Sequence, residues 1–309
     1  MTTPSLSDAE QRRARYASLE SMPLQTVGSS GPSFGASWGS LREIWSQRQM
    51  LDLLIRRDLK ARYKDSALGF LWSLVRPLTQ LLIYYVVMGQ FLGAARGIPD
   101  FAIYIFSGLT AYTLFSEVVN GSTGSIVGNS GLIKKIYLPR EIFPLASLGS
   151  ALFNFAIQFG ILLVATLVLG RFPITPDIVY LVPSFLVIVI YSLAFGLLLA
   201  ALNVYMRDIQ YLVDVALMVL MWASPIVYSW KMVKSVIKSP WLLEIYTNNP
   251  ITLSVLGFQR SLWIGGQGTA EYPAGLMLRL AIAAVIGLVL IVIFHRVFTR
   301  LQGNFAQAL

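Results

Sequence analysis

Five basic residues, Arg56, Arg57, Lys60, Arg62 and Lys64, crowd the stretch just before the first long apolar run. The planar guanidinium fork of arginine grips a phosphate through two parallel hydrogen bonds. This cluster therefore suits an anionic headgroup, either a ligand's diphosphate or bulk anionic lipid. A second group, Lys134, Lys135 and Arg140, surrounds Tyr137, Leu138 and Pro139 and runs into Glu141. A charged rim around an apolar knob is what a rigid lever seated in a partner's cleft requires. The same lysines also read as a simple positive-inside topology anchor. Arg207–Asp208 is a further contact candidate, or a charge pair at a helix end. Residues that make and break covalent bonds are scarce. With no cysteine and one histidine, His295, thiol catalysis, thiolate metal sites and multi-histidine metal sites are excluded. No Gly-Lys dipeptide occurs, so there is no Walker-type phosphate loop. If ATP drives this protein, the ATPase is a different polypeptide.

The elements that hold these residues are set by composition. Of 309 residues, 56% are hydrophobic and only 13% charged, against about 25% charged in soluble domains. So few charges cannot cover a water-facing surface; the remainder must face lipid. A span needs about 20 mostly apolar residues, and six segments qualify: 68–92, 101–119, 143–169, 178–201, 212–230 and 276–298. The expectation is an all-α integral membrane protein with six transmembrane helices. Net charge is +9, but 11 of the 24 Lys and Arg precede Pro77. That distribution marks a cytoplasmic flank beside anionic lipid rather than a nucleic-acid surface. An even span count then puts both termini in the cytoplasm. Lys231, Lys234, Lys238 and Arg260 break the charge rule in the connection before the last span. Glu117 and Asp214 are read as lying near span ends, which disfavours ion coupling.

Residues 1–36, rich in Ser, Gly, Thr and Pro, read as a disordered cytoplasmic tail without a signal-peptide core. Residues 37–66 form an interfacial region: Met50, Leu51, Leu54, Ile55 and Leu59 share a helical face opposite Arg56, Arg57, Lys60 and Lys64. Asp58 and Arg62 interrupt that face, spaced to pair at i, i+4, and hint at contact with protein. Residues 67–309 make up the six-span domain. Before its last span, Asn249–Pro250 starts a 15-residue apolar helix too short to cross. It reads as part of a re-entrant helical hairpin, or as one of two helices lying flat in the interface. The run Gly121–Gly131 permits close helix approach, a hinge or a flexible loop. Ser192, Gly196 and Ala200 form a small-residue stripe suited to packing within the chain.

Five stretches in order carry a resemblance. They are Arg57-Asp58-Leu59-Lys60-Ala61-Arg62-Tyr63-Lys64 with Leu68-Gly69-Phe70-Leu71-Trp72 and Arg76-Pro77-Leu78, Leu132 to Glu141 with Phe143-Pro144-Leu145, Leu202-Asn203-Val204-Tyr205-Met206-Arg207-Asp208, Ser224-Pro225-Ile226-Val227-Tyr228, and Asn249-Pro250 with Phe258-Gln259-Arg260. Together they resemble the membrane subunit of ABC-2-type polysaccharide exporters, which serve O-antigen, capsule, teichoic acid and galactan export. The long leader is most similar to actinobacterial galactan exporters. The resemblance implies an ABC-2 (type V) exporter transmembrane domain in the bacterial cytoplasmic membrane. It also implies a homodimer, two copies of a cytoplasmic nucleotide-binding subunit that holds the ATP and Mg, and a polyprenyl-diphosphate-linked polysaccharide as cargo. This chain itself would carry no cofactor. The loop 132–141 falls at the family's coupling helix, with the pore between the two halves. Aromatic faces that let a glycan slide would come from Tyr84, Tyr85 and Trp222, with Tyr104, Tyr112 and Tyr228 as lesser candidates for what are equally interface aromatics. A drug or small-lipid exporter of the same class is the alternative.

Overall fold

A computed structural model describes residues 45–63, 71–91, 93, 97–135 and 138–309. The expected tail, Lys64, Tyr137 and the side chain of Arg62 lie outside the described residues. Every described element is helical: α1 (Arg48–Tyr63), α2 (Trp72–Ile83) running on as a π-helical segment (Tyr84–Phe91), α3 (Phe101–Gly128), α4 (Ser130–Ile133), α5 (Ile142–Val168), α6 (Leu181–Tyr205), α7 (Ile209–Trp222), α8 (Trp230–Val236), α9 (Pro240–Thr247), α10 (Pro250–Leu262), α11 (Leu276–Leu301) and α12 (Phe305–Ala308).

Among the described residues, four helices are long and apolar enough to cross a membrane: Phe101–Gly128, Ile142–Val168, Pro176–Tyr205 and Leu276–Asn304. The central one is α3, packed between α5 and α6, while α11 covers the other side of α6. Outward faces of α7 and α11 are apolar and exposed, with Tyr211, Leu212, Val215, Met218, Val219 and Trp222 along α7. A continuous apolar surface of that kind is tolerated in lipid and not in water.

Two expected spans have different limits. The second continues to Gly128, nine residues beyond 119. Its Gly-Ser run is helical because the small residues bring neighbours close. A Cβ at Gly121 would meet Ser147 at 3.4 Å, one at Gly124 would meet Gln210 at 3.3 Å, and one at Gly196 of α6 would lie 2.9 Å from Ser122. Packing offsets the roughly 1 kcal/mol helix penalty of Gly121 and Gly124, so the run is helix as far as Gly128 and breaks only at Asn129. As a result Glu117 sits in the interior of α3, not near its end. It accepts a 2.7 Å hydrogen bond from Asn154 Nδ2 in the middle of α5. The fifth segment ends at Trp222 instead of 230 and is 14 residues long. Pro225 lacks an N–H and constrains the residue before it, which stops the helix.

The apolar face of α1 is turned to protein: Leu54 is buried with Ile126, Phe143 and Ala146, and Met50, Leu51 and Ile55 pack around it. At Gly149 of α5 a Cβ would sit 2.4 Å from Ile55 Cδ1, so the bare glycine lets α1 seat. Asp58 holds Arg57 at 2.8 Å, and Arg56 holds Asp52 at 2.7 Å. The short helix α10 is buried on nearly every side and packs on α6, α3 and α11. Its start is capped as expected, Asn249 Oδ1 accepting from the Ile251 N–H at 3.0 Å. Gly257 permits this contact, since a Cβ there would lie 1.8 Å from Ser184 Oγ.

Candidate functional site

The predicted coupling segment sits at the α1 end of the bundle, and its residues divide into two sets. Lys134 and Lys135 are exposed, and Leu138, Pro139 and Arg140 half-buried. Glu141 is 3% exposed, with Oε1 3.5 Å from His295 Nε2 of α11. Arg140 donates to the Gln302 carbonyl and its guanidinium stands 5.7 Å over the Phe305 ring. Arg140 and Glu141 were expected to face a partner. Within the chain they hold its own last helix and tail, because a carboxylate next to Ile142 and Phe143 in the packed core needs an internal partner. The exposed rim is thus Lys134 and Lys135. Arg207 and Asp208 are exposed after the end of α6, and the adjacent Tyr205 donates to the Leu301 carbonyl at 2.7 Å and meets Phe305 edge-on at 6.0 Å. Both expected contact loops therefore lie against one tail segment, which the sequence reading passed over. Its signal was a lone phenylalanine in a polar terminus.

The basic face of α1 is only partly available. Aspartates engage Arg56 and Arg57, and Lys60 is exposed. Beneath it a cavity of ≈ 300 Å3 is walled by Arg57, Asp58, Glu117, Ser125, Asn129 and Ser150. The polar lining continues across α3: Gln210 Nε2 donates to Asn120 Oδ1 at 3.1 Å, and Asn120 Nδ2 donates to Asp214.

Among the aromatics, Tyr84 O–H reaches Met221 Sδ at 3.9 Å, which places the π-helical segment against α7 beside Trp222. Tyr85 and Trp222 are exposed. Tyr104 and Tyr112 do not line a surface. Both are buried, with Tyr104 O–H against the carbonyls of Tyr228 (2.8 Å) and Pro225 (3.1 Å), and Tyr112 O–H donating to that of Leu217. They staple α3 to α7 and to the turn that follows it. Gln259 Nε2 also donates to the Pro225 carbonyl at 2.8 Å, serving the backbone that leaves helix there.

At the opposite end, Lys231, Lys234 and Arg260, three of the four basic residues that broke the charge pattern, are matched by acids, as is Arg171. Arg260 holds Asp177 at 2.9 Å, Arg171 holds Asp100 at 3.2 Å, and Lys231 and Lys234 both hold Glu271. Those two lysines draw the Glu271 carboxyl below its usual pKa.

A family model described as ABC-2 type transporter matches residues 50–263, which is most of the bundle. The chain belongs to the ABC-2 type transporter family. An O-antigen export system permease protein, RfbA, of Klebsiella pneumoniae is 28% identical over 276 residues, covering 87% of this chain and 100% of that protein. RfbA of Myxococcus xanthus is 32% identical over 188 residues, 61% of this chain and 71% of that protein. The polysialic acid transport protein KpsM of Escherichia coli is 25% identical over 185 residues, 59% and 70% of the two chains. Membership of an ABC-2 family and the apolar helices above together make this chain a multi-pass membrane protein.

Proposed function

We propose that this ABC-2 chain is the membrane subunit of an ATP-driven exporter of a lipid-diphosphate-linked polysaccharide, with galactan or an O-antigen-like glycan as cargo. The supporting observation is the end-to-end match to an O-antigen export permease, 100% of whose length aligns here. A drug or small-lipid exporter would share the fold without that relationship. Two copies of this chain pair with two copies of a cytoplasmic nucleotide-binding subunit that holds ATP and Mg. The pore lies between the copies, along α2 with its π-helical continuation and α7. Tyr84, Tyr85 and Trp222 lie on those elements, and π-helical turns recur at functional sites.

In this reading the membrane is crossed six times, α2 with its π-helical turn and α7 with the turn after it supplying the first and fifth crossings of a type V exporter fold. The thorough burial of α10 favours the re-entrant arrangement over helices lying flat. Both termini are cytoplasmic: basic residues at the α10 end are offset by Asp100, Asp177, Glu244 and Glu271, while Lys134, Lys135 and Arg207 at the α1 end are exposed. Lys134, Lys135, Leu138 and Pro139 engage the nucleotide-binding subunit, joined by the Arg207–Asp208 loop. Lys60 and its neighbours on α1 meet the cargo's diphosphate.

The test is depletion of this protein in its host, followed by analysis of lipid-linked glycans on each side of the membrane. A polyprenyl-diphosphate polysaccharide should accumulate on the cytoplasmic side and be cleared on re-expression. Normal glycan distribution with loss of a drug-resistance phenotype would replace polysaccharide by a small molecule.

A further inference from the structure

Phe305 is fully buried although it belongs to a four-residue helix at the end of the chain. Its ring is met edge-on by Phe298 at 5.7 Å and by Tyr205 at 6.0 Å, and capped by the Arg140 guanidinium at 5.7 Å. Those three partners come from three places: the last span, the final residue of α6, and the segment entering α5. Backbone carbonyls at the junction of α11 and the tail take the polar ends of two of them. Gln302 accepts from Arg140 and Leu301 from Tyr205. A third tie, Glu141 to His295, joins the loop to the last span one turn before Phe298. Each contact is modest alone. Together they tie the three elements at this corner to one another, and packed contacts tend to switch as units.

We propose that the segment Gln302–Leu309, pinned by Phe305, is a positioning bracket that locks the Leu138–Glu141 loop, the Tyr205–Asp208 loop and the end of α11 into one body. The half-buried Leu138–Arg140 stretch and the exposed Arg207–Asp208 loop then present a fixed docking face, and displacement of either is passed to the last span. This rests on the exporter reading above for the identity of the docked partner, and on the observed packing for the bracket itself. Phe305 touches neither cargo nor nucleotide; it acts through Arg140 and Tyr205.

Because the native chain has no cysteine, a single pair of spin labels can be placed without background. The experiment uses the full chain with its nucleotide-binding subunit in nanodiscs, carrying Leu138→Cys and Asn304→Cys. Distances are read with and without ATP, and ATP hydrolysis and glycan movement are read in parallel on the unlabelled complex. With labelled chain diluted by unlabelled chain so that most complexes carry one labelled copy, the expected result is one narrow intrachain distance in both nucleotide states. Phe305→Ala should broaden it and cut the stimulation of hydrolysis by the membrane subunit about tenfold, within the usual range for coupling between sites. If Phe305→Ala does not fold, Phe305→Leu keeps apolar bulk while removing the ring face, and should show the same loss in smaller measure. A distance that changes with ATP in the native sequence overturns the bracket. So does full stimulation in a folded variant whose distance has broadened. A native complex with an intact narrow distance and stimulation that moves no glycan instead overturns the cargo reading and leaves the bracket standing.

Discussion

Arg260 of α10 reaches Asp177 at 2.9 Å while its guanidinium lies 4.1 Å above the Tyr180 ring. Tyr272 faces it from a third direction at 5.4 Å. A buried helix is thus held to the segment that enters α6 by charge and by two aromatic faces together. Arg260→Ala should lower the stability of the purified protein by about 1–3 kcal/mol, since Asp177 keeps a half-buried charge without this partner. Arg260→Lys should recover only part, because an ammonium cannot use the planar fork. Thermal unfolding in detergent measures both. Full recovery by lysine would mean that charge alone matters there.

Gly257 gives a sharper steric test. An alanine Cβ would stand 1.8 Å from Ser184 Oγ and 2.9 Å from Ser184 Cβ. Gly257→Ala should therefore destabilise by about 1–3 kcal/mol through overpacking. Ser184→Gly, which removes both atoms, should restore much of the loss in the double variant. Additive damage in the thermal midpoint would show that the contact between α10 and α6 is not the cause.

These two sites show what the sequence made legible and what it did not. Apolar runs and the Asn249–Pro250 cap located α10, because they are local signals. The partner of Arg260 was not visible, since Asp177 is 83 residues away and charge matching across that distance has no periodicity. Polar residues misled in a consistent way. The Gly-Ser run was cut out of the second span by its low hydropathy, yet Ser122, Thr123 and Ser125 are buried, and their hydroxyls turn back to carbonyls within α3 or on α5. Hydropathy measures affinity for lipid, whereas α3 is surrounded by protein. At the coupling segment, Arg140 and Glu141 point into the chain, a direction that one-dimensional spacing does not encode.

Glu117 and Asn154 provide a test of that buried polar core. Asn154→Leu removes the amide that donates to the carboxylate at 2.7 Å. Leaving a buried polar group short of a partner costs about 1–3 kcal/mol. The double variant Glu117→Leu with Asn154→Leu should be less damaged than the sum of the singles, since apolar pairs of similar volume often replace buried polar pairs at little cost. A double-variant cycle on unfolding in detergent reads the interaction directly. Zero coupling would place Glu117's stabilisation with its other contacts.

Acid sensitivity should arise at the α10 end. Hydrogen bonds from Arg279 first, then its charge and Asn248, lower the Glu244 carboxyl below its ordinary 4.5, and Lys234 with Lys231 does the same for Glu271. A depressed carboxyl pKa contributes stability that is present above the unfolded value and lost as pH falls through the folded one. The loss therefore begins near pH 4.5 and completes below it, with no effect of these groups between pH 6 and 8. Both carboxylates are exposed, so solvent screening keeps each contribution small and sensitive to salt. Glu244→Gln should flatten the acid limb of thermal midpoint against pH, and the flattening should shrink at high ionic strength. If the variant and the native protein lose stability in parallel below pH 4.5, the acid response originates at other carboxylates, and the Arg279 link between α9 and the start of α11 carries no pH dependence.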